Sequence, residues 1–130
     1  MNNRVNRGKK ILLVDDESSV SKAIKMLLEY DGFKVQTAEN GKDALALFEQ
    51  DRFDLVITDF SMMGMNGGEL AVRIKKIRPN QPIILATASI YKLDKASHPA
   101  PLVDCVLDKP FGLQELRQAI ANIDFSKNPD

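Results

Sequence analysis

Cysteine and histidine each occur once in the 130 residues, as Cys105 and His98. A lone cysteine excludes an internal disulfide, which fits a reducing, cytoplasmic location. A lone histidine excludes a metal site built from several imidazoles, and its place beside Pro99 predicts an exposed loop position. Charge of one sign is not in excess: 18 basic and 18 acidic residues give a formal net charge of zero. With no long basic run, composition offers no case for direct nucleic-acid binding. No apolar stretch is long enough to span a bilayer. Met1 to Lys10 is polar and basic and lacks the apolar core of a signal peptide, so a short flexible arm is expected there. No internal repeat and no linker interrupts the chain. One domain is therefore predicted over residues 9–124, between an arm at 1–8 and a C-terminal tail at 125–130.

What is present is an alternation of short apolar runs and helical patterns. Ile11-Leu12-Leu13-Val14 runs into Asp15-Asp16, and Leu55-Val56-Ile57-Thr58 into Asp59. Ile83-Ile84-Leu85-Ala86 runs into Thr87, and the run from Leu102 to Leu107 continues to Lys109. Such runs predict buried strands. Phe33 to Thr37 alternates and predicts another strand. Between them, Val20, Ala23, Ile24, Leu27 and Leu28 share one helical face over Ser18 to Tyr30. Ser18 or Ser19 is expected to cap that helix, and Gly32 to follow its end. Asn40 is placed to cap a second helix carrying Ala44, Leu45, Leu47 and Phe48. Leu70, Ile74 and Ile77 mark a third, stopped by Pro79. Leu113, Leu116, Ile120 and Ile123 mark the last. Ser89 to Leu102 should hold another helix, but His98-Pro99-Ala100-Pro101 breaks it, so an irregular helix ending before His98 is expected. Strands alternating with helices predict an α/β fold, a parallel sheet covered on both faces.

Four strand ends thus deliver Asp15, Asp16, Asp59, Thr87 and Lys109 to one edge of the sheet, where open α/β sheets place their ligands. Three carboxylates repel one another, and folding alone gives no reason to collect them. A hard cation such as Mg²⁺ resolves the conflict. An aspartate can accept a phosphoryl group as an acyl phosphate, and cations and donors then stabilise the charge on the phosphoryl oxygens. Asp59 is the candidate acceptor, with Thr87 and Lys109 as the candidate donor and cation. Met62, Met63 and Met65 form a soft apolar cluster whose expected role is loop packing.

From about Lys9 to Ile123 the chain resembles a response-regulator receiver domain of two-component phosphorelays. Asp15-Asp16 matches the family's acidic pair, Asp59 its phosphoacceptor, Thr87-Ala88 its switch hydroxyl and small neighbour, and Lys109-Pro110-Phe111 its lysine-proline motif. Met62, Met65 and Gly67 fit the loop after the acceptor. The resemblance implies a flavodoxin-like, doubly wound, five-stranded parallel sheet of order 2-1-3-4-5. It implies Mg²⁺ held by Asp16, Asp59 and the backbone carbonyl of Ser61, with Asp15 acting through water, and a cis Lys109-Pro110 bond. It also implies phosphorylation by a histidine kinase or phosphotransfer protein, a downstream protein target, and a signalling domain that catalyses only its own phosphorylation and dephosphorylation. The chain departs from the family pattern at Met63, where proline is frequent, and at Val106, where an aromatic ring often couples to the hydroxyl. The prolines at 99 and 101 are a third departure. Signalling is therefore expected to work by ordering or displacing residues 89–102. Two other functions compete: an aspartyl phosphatase, which Ser61 opposes because a second acid is common there, and a pseudo-receiver that docks partners without phosphorylation.

Overall fold

The computed structural model describes residues 8–88 and 103–127. Five strands are present: β1 (Lys10–Val14), β2 (Lys34–Ala38), β3 (Leu55–Asp59), β4 (Ile83–Thr87) and β5 (Cys105–Asp108). The described residues also form four α-helices: α1 (Ser18–Tyr30), α2 (Gly41–Gln50), α3 (Gly67–Ile77) and α4 (Leu113–Ala121), the last following β5. The strands form one sheet in the order β2-β1-β3-β4-β5, and every pairing is parallel. This is the predicted flavodoxin-like, doubly wound architecture.

The sheet is buried on both sides, which is why its central strands are continuous apolar runs. Side chains alternate across a strand. Ile11, Leu13, Ile57 and Ile84 pack toward Leu28 of α1 and Leu116 and Ile120 of α4. Leu12, Val14, Val56 and Ile83 pack on the other side, with Phe48 of α2 and Leu70 and Ile74 of α3. No helix among the described residues is long and apolar enough to cross a membrane.

Several element ends differ from expectation. Neither Ser18 nor Ser19 caps α1. The N-cap is Glu17, with no side-chain cap bond, and both serines already lie within the first turn. The Glu17 N–H instead donates to Asp15 Oδ1 at 2.8 Å. The other end of α1 is as predicted: Gly32 has φ +105°, and N–H groups of Gly32 and Phe33 close onto the carbonyls of Glu29 and Leu28. That pair of bonds is a Schellman motif, and its left-handed residue favours glycine. Asn40 caps α2 by accepting from the Asp43 N–H at 2.7 Å. Helix α3 starts three residues before its first apolar marker. Asn66 accepts from the Glu69 N–H at 2.8 Å, and the Glu69 carboxylate accepts from the Asn66 N–H at 2.9 Å, which is a capping box.

Strand β5 is shorter than the run from Leu102 to Leu107. The Asp104 carboxylate accepts from the Ile83 N–H at 2.8 Å, taking a bond that a regular ladder would give to a carbonyl. The expected tail at 125–130 begins as a 3-10 turn over Phe125–Lys127. Phe125 packs on the core, with Lys9 Nζ 5.0 Å from its ring centre; its apolar surface is the reason this stretch is held. At the other end, Gly8 is tied by its N–H to the Gly32 carbonyl at 3.2 Å. The rest of the expected arm (1–7), the irregular helix at 89–102 with His98, Pro99 and Pro101, and residues 128–130 lie outside the described residues.

Candidate functional site

The parallel register brings the carboxyl ends of β1, β3 and β4 side by side. Val14 pairs with Thr58, and Asp59 with Ala86. Carboxylate oxygens of Asp15, Asp16 and Asp59 lie within 4.8 Å of one another. Asp15 is 4% exposed and Asp59 7%, while Asp16 is open to solvent. Lys109 follows β5, where its N–H bonds the Thr87 carbonyl at 2.7 Å. Its Nζ lies 2.8 Å from Asp59 Oδ1. The Lys109-Pro110 peptide is cis, as the resemblance implied.

Thr87 is buried at the end of β4. Ser61 is exposed in the loop after Asp59. In that loop Met62 and Met65 pack on the core beside α2 and α3, as expected of loop packing, whereas Met63 is 88% exposed. Val106 is half-buried and pairs with Leu85.

Burial is the first cause that raises the Asp59 pKa above the usual carboxylate value, and the charges of Asp15 and Asp16 add to it. The hydrogen bond and charge of Lys109 oppose the rise without cancelling it. For Lys109, burial alone would lower the pKa, but the hydrogen bond and charge of Asp59, with the charges of Asp15 and Glu17, hold it above the ordinary lysine value. The acids are thus crowded enough to favour any added positive charge.

Two further residues shape the site: Gly67, which the resemblance placed only in the loop after Asp59, and Glu17, which was not among the expected residues. Gly67 donates its N–H to the Phe60 carbonyl at 2.8 Å, drawing the start of α3 against the end of β3. A Cβ there would lie 2.3 Å from the Asp59 carbonyl oxygen and 2.8 Å from Leu85 Cδ1. The Gly67-Gly68 pair was the signal available in the sequence. Glu17 is the other; its place directly after Asp15-Asp16 was visible, but its proximity to Lys109 required the fold.

The family model for the response regulator receiver domain matches residues 11–121. The chain belongs to this family. The transcriptional regulatory protein GlrR of Escherichia coli strain K12 is 36% identical to this receiver over 110 residues, 85% of the chain and 25% of GlrR. The receiver thus spans about a quarter of that relative's length. Among solved structures, response regulator TrrA of Thermotoga maritima in complex with Mg²⁺-BeF is 36% identical, with a TM-score of 0.79 over 87% of this chain and 96% of TrrA. TrrA in complex with the histidine kinase ThkA gives 38% identity and a TM-score of 0.78, covering 87% of this chain and 96% of that one. The family is a signalling module of two-component systems.

Proposed function

We propose that this receiver accepts a phosphoryl group on Asp59 from a histidine kinase or phosphotransfer protein, in a Mg²⁺-dependent reaction that alters binding to a downstream protein. The carrying observation is the convergence of Asp15, Asp16 and Asp59 within 4.8 Å, with Lys109 seated on the acceptor. Three carboxylates crowded within 4.8 Å suit a hard cation that prefers oxygen ligands. Asp16, Asp59 and the Ser61 carbonyl would hold Mg²⁺, with Asp15 acting through water. When bound, the ion supplies neutralising charge to the acids and to the phosphoryl oxygens.

The chain's own groups supply the rest. Asp59 is the nucleophile, and it must be ionised to attack. The Lys109 contact favours the ionised form, opposing burial. As phosphorus approaches, the Lys109 ammonium can take a phosphoryl oxygen in place of Asp59 Oδ1. The Thr87 hydroxyl is the donor proposed for another. The receiver catalyses only its own phosphorylation and dephosphorylation. With a net charge of zero, it is assigned protein partners and no direct nucleic-acid contact, in the cytoplasm. The complete acid, hydroxyl and lysine set favours this function over phosphorylation-independent docking. Intact-mass measurement after treatment with a small acyl phosphate and Mg²⁺ tests it: one phosphoryl group is added, and none to Asp59→Asn. Modification that persists in Asp59→Asn refutes the acceptor.

A further inference from the structure

A cavity of about 670 Å³ opens between α1 and α4 beside the acceptor. Its floor is the sheet, at Leu13, Ile57 and Ala86. Its walls include Ala23 and Ile24 of α1 and Leu116 of α4. Asp15 and Asp59 also line it. They lie two residues beyond Leu13 and Ile57, so strand alternation turns them to the same side of the sheet. Lys109 and Glu17 complete its polar end. A space of this size, apolar in its body with a few charged groups at one end, has the form of a small-molecule site.

We propose that this cavity receives the apolar chain of small acyl phosphate donors, so that longer alkanoyl phosphates phosphorylate Asp59 faster than acetyl phosphate does. This rests on Asp59 being the phosphoacceptor. An acyl phosphate joins an anionic head to an acyl chain. With the head at Asp59 and Lys109, the chain lies next to the apolar floor and walls. A two-carbon acyl group is too short to cover that surface, whereas a six-carbon group can lie along it. Glu17, at the polar end of the cavity, repels the anionic head, which keeps it at Lys109 and leaves the cavity to the chain. In the transfer, a bond forms between an Asp59 carboxylate oxygen and phosphorus. The bond from phosphorus to the acyl oxygen breaks, and the alkanoate leaves with the electron pair.

The test compares acetyl and hexanoyl phosphate, whose leaving carboxylates are almost equally basic, by intact mass of the full chain over time in Mg²⁺. Hexanoyl phosphate is expected to react about tenfold faster at equal low concentration, roughly what burying two methylene groups supplies. Ala23→Phe, which fills the cavity from an exposed position on α1, should bring the ratio toward one. Ala46→Phe, on exposed α2 across the sheet, should retain it. Without any transfer, hexylphosphonate added to the wild-type protein should shift methyl resonances of Ala23, Ile24 and Leu116. Equal rates in the wild type, a ratio unchanged by Ala23→Phe, or shifts confined to other residues would overturn the inference. So would self-association that closes the cavity. If neither donor modifies Asp59, the phosphoacceptor assignment fails, and the methyl shifts still decide whether the cavity binds an apolar chain.

Discussion

At the scale of single residues, the tension in the site is electrostatic and its sign can be worked out. The pKa of Asp59 is raised in the fold, by burial first and then by Asp15 and Asp16. The native state therefore holds this proton more tightly than the unfolded chain does. The associated stability is full below the ordinary aspartate pKa, about 4, and is lost as pH rises through the raised value. In chelator, Asp59→Asn should be more stable than the wild type near neutral pH, with the two converging in acid. Urea melts at several pH values check this, and a variant less stable at neutral pH contradicts it. Gly67 carries a steric prediction. A methyl group placed 2.3 Å from a backbone oxygen forces that backbone to move. Gly67→Ala should cost about 2–3 kcal/mol, in the range of overpacked cores, and should slow phosphorylation by displacing the acceptor strand. The positions of Asp15, Asp16, Asp59, Thr87 and Lys109 were legible because each lies within two residues of the end of an apolar run. The demand on Gly67 was not, because it arises from packing between β3, β4 and α3.

At the scale of elements, the legible signals were those local to a few residues. Asn40 starts α2 and Gly32 follows α1 where expected, because a cap or a left-handed turn depends on residues within one turn. The serines at 18 and 19 looked equally good as caps. They fail because the helix starts one residue earlier, with Glu17 at the N-cap and both serines already in the first turn. The difference is measurable. Asn40→Ala and Asn66→Ala should each cost about 1 kcal/mol, the usual worth of a cap. Ser18→Ala should cost under about 0.5 kcal/mol, since only its backbone carbonyl is engaged, by Ser21 Oγ. Denaturant midpoints separate these values, and a Ser18→Ala loss equal to that of Asn40→Ala would contradict the assignment. Strand β5 shows the converse: Asp104 looked like one residue of a strand, and its side chain replaces a ladder bond.

At the scale of the whole molecule, two-sided burial of the sheet explains why a parallel α/β arrangement could be inferred from apolar runs, whereas the strand order came from the family resemblance. The ends of the domain were harder to place. Phe125 was assigned to the tail, yet it packs on the core and beneath Lys9. We propose that the domain includes Phe125. Phe125→Ala is expected to cost about 1–2 kcal/mol in urea unfolding, as for a half-buried aromatic ring; a neutral result would return residue 125 to the tail. Switching through residues 89–102 is a proposal from sequence, prompted by Val106 in place of an aromatic ring. Hydrogen exchange with and without a phosphoryl mimic should change there more than in α1. What the fold does as a unit is gather the carboxylates of Asp15, Asp16 and Asp59 from two strand ends beside Lys109. The most direct measurement is to phosphorylate the chain, reduce the acyl phosphate with borohydride and map the resulting homoserine. It should appear at residue 59 in Mg²⁺ and vanish in chelator. Homoserine at Asp15 or Asp16, or a yield at residue 59 that is indifferent to chelator, would contradict the assignment of Asp59 as a metal-dependent phosphoacceptor.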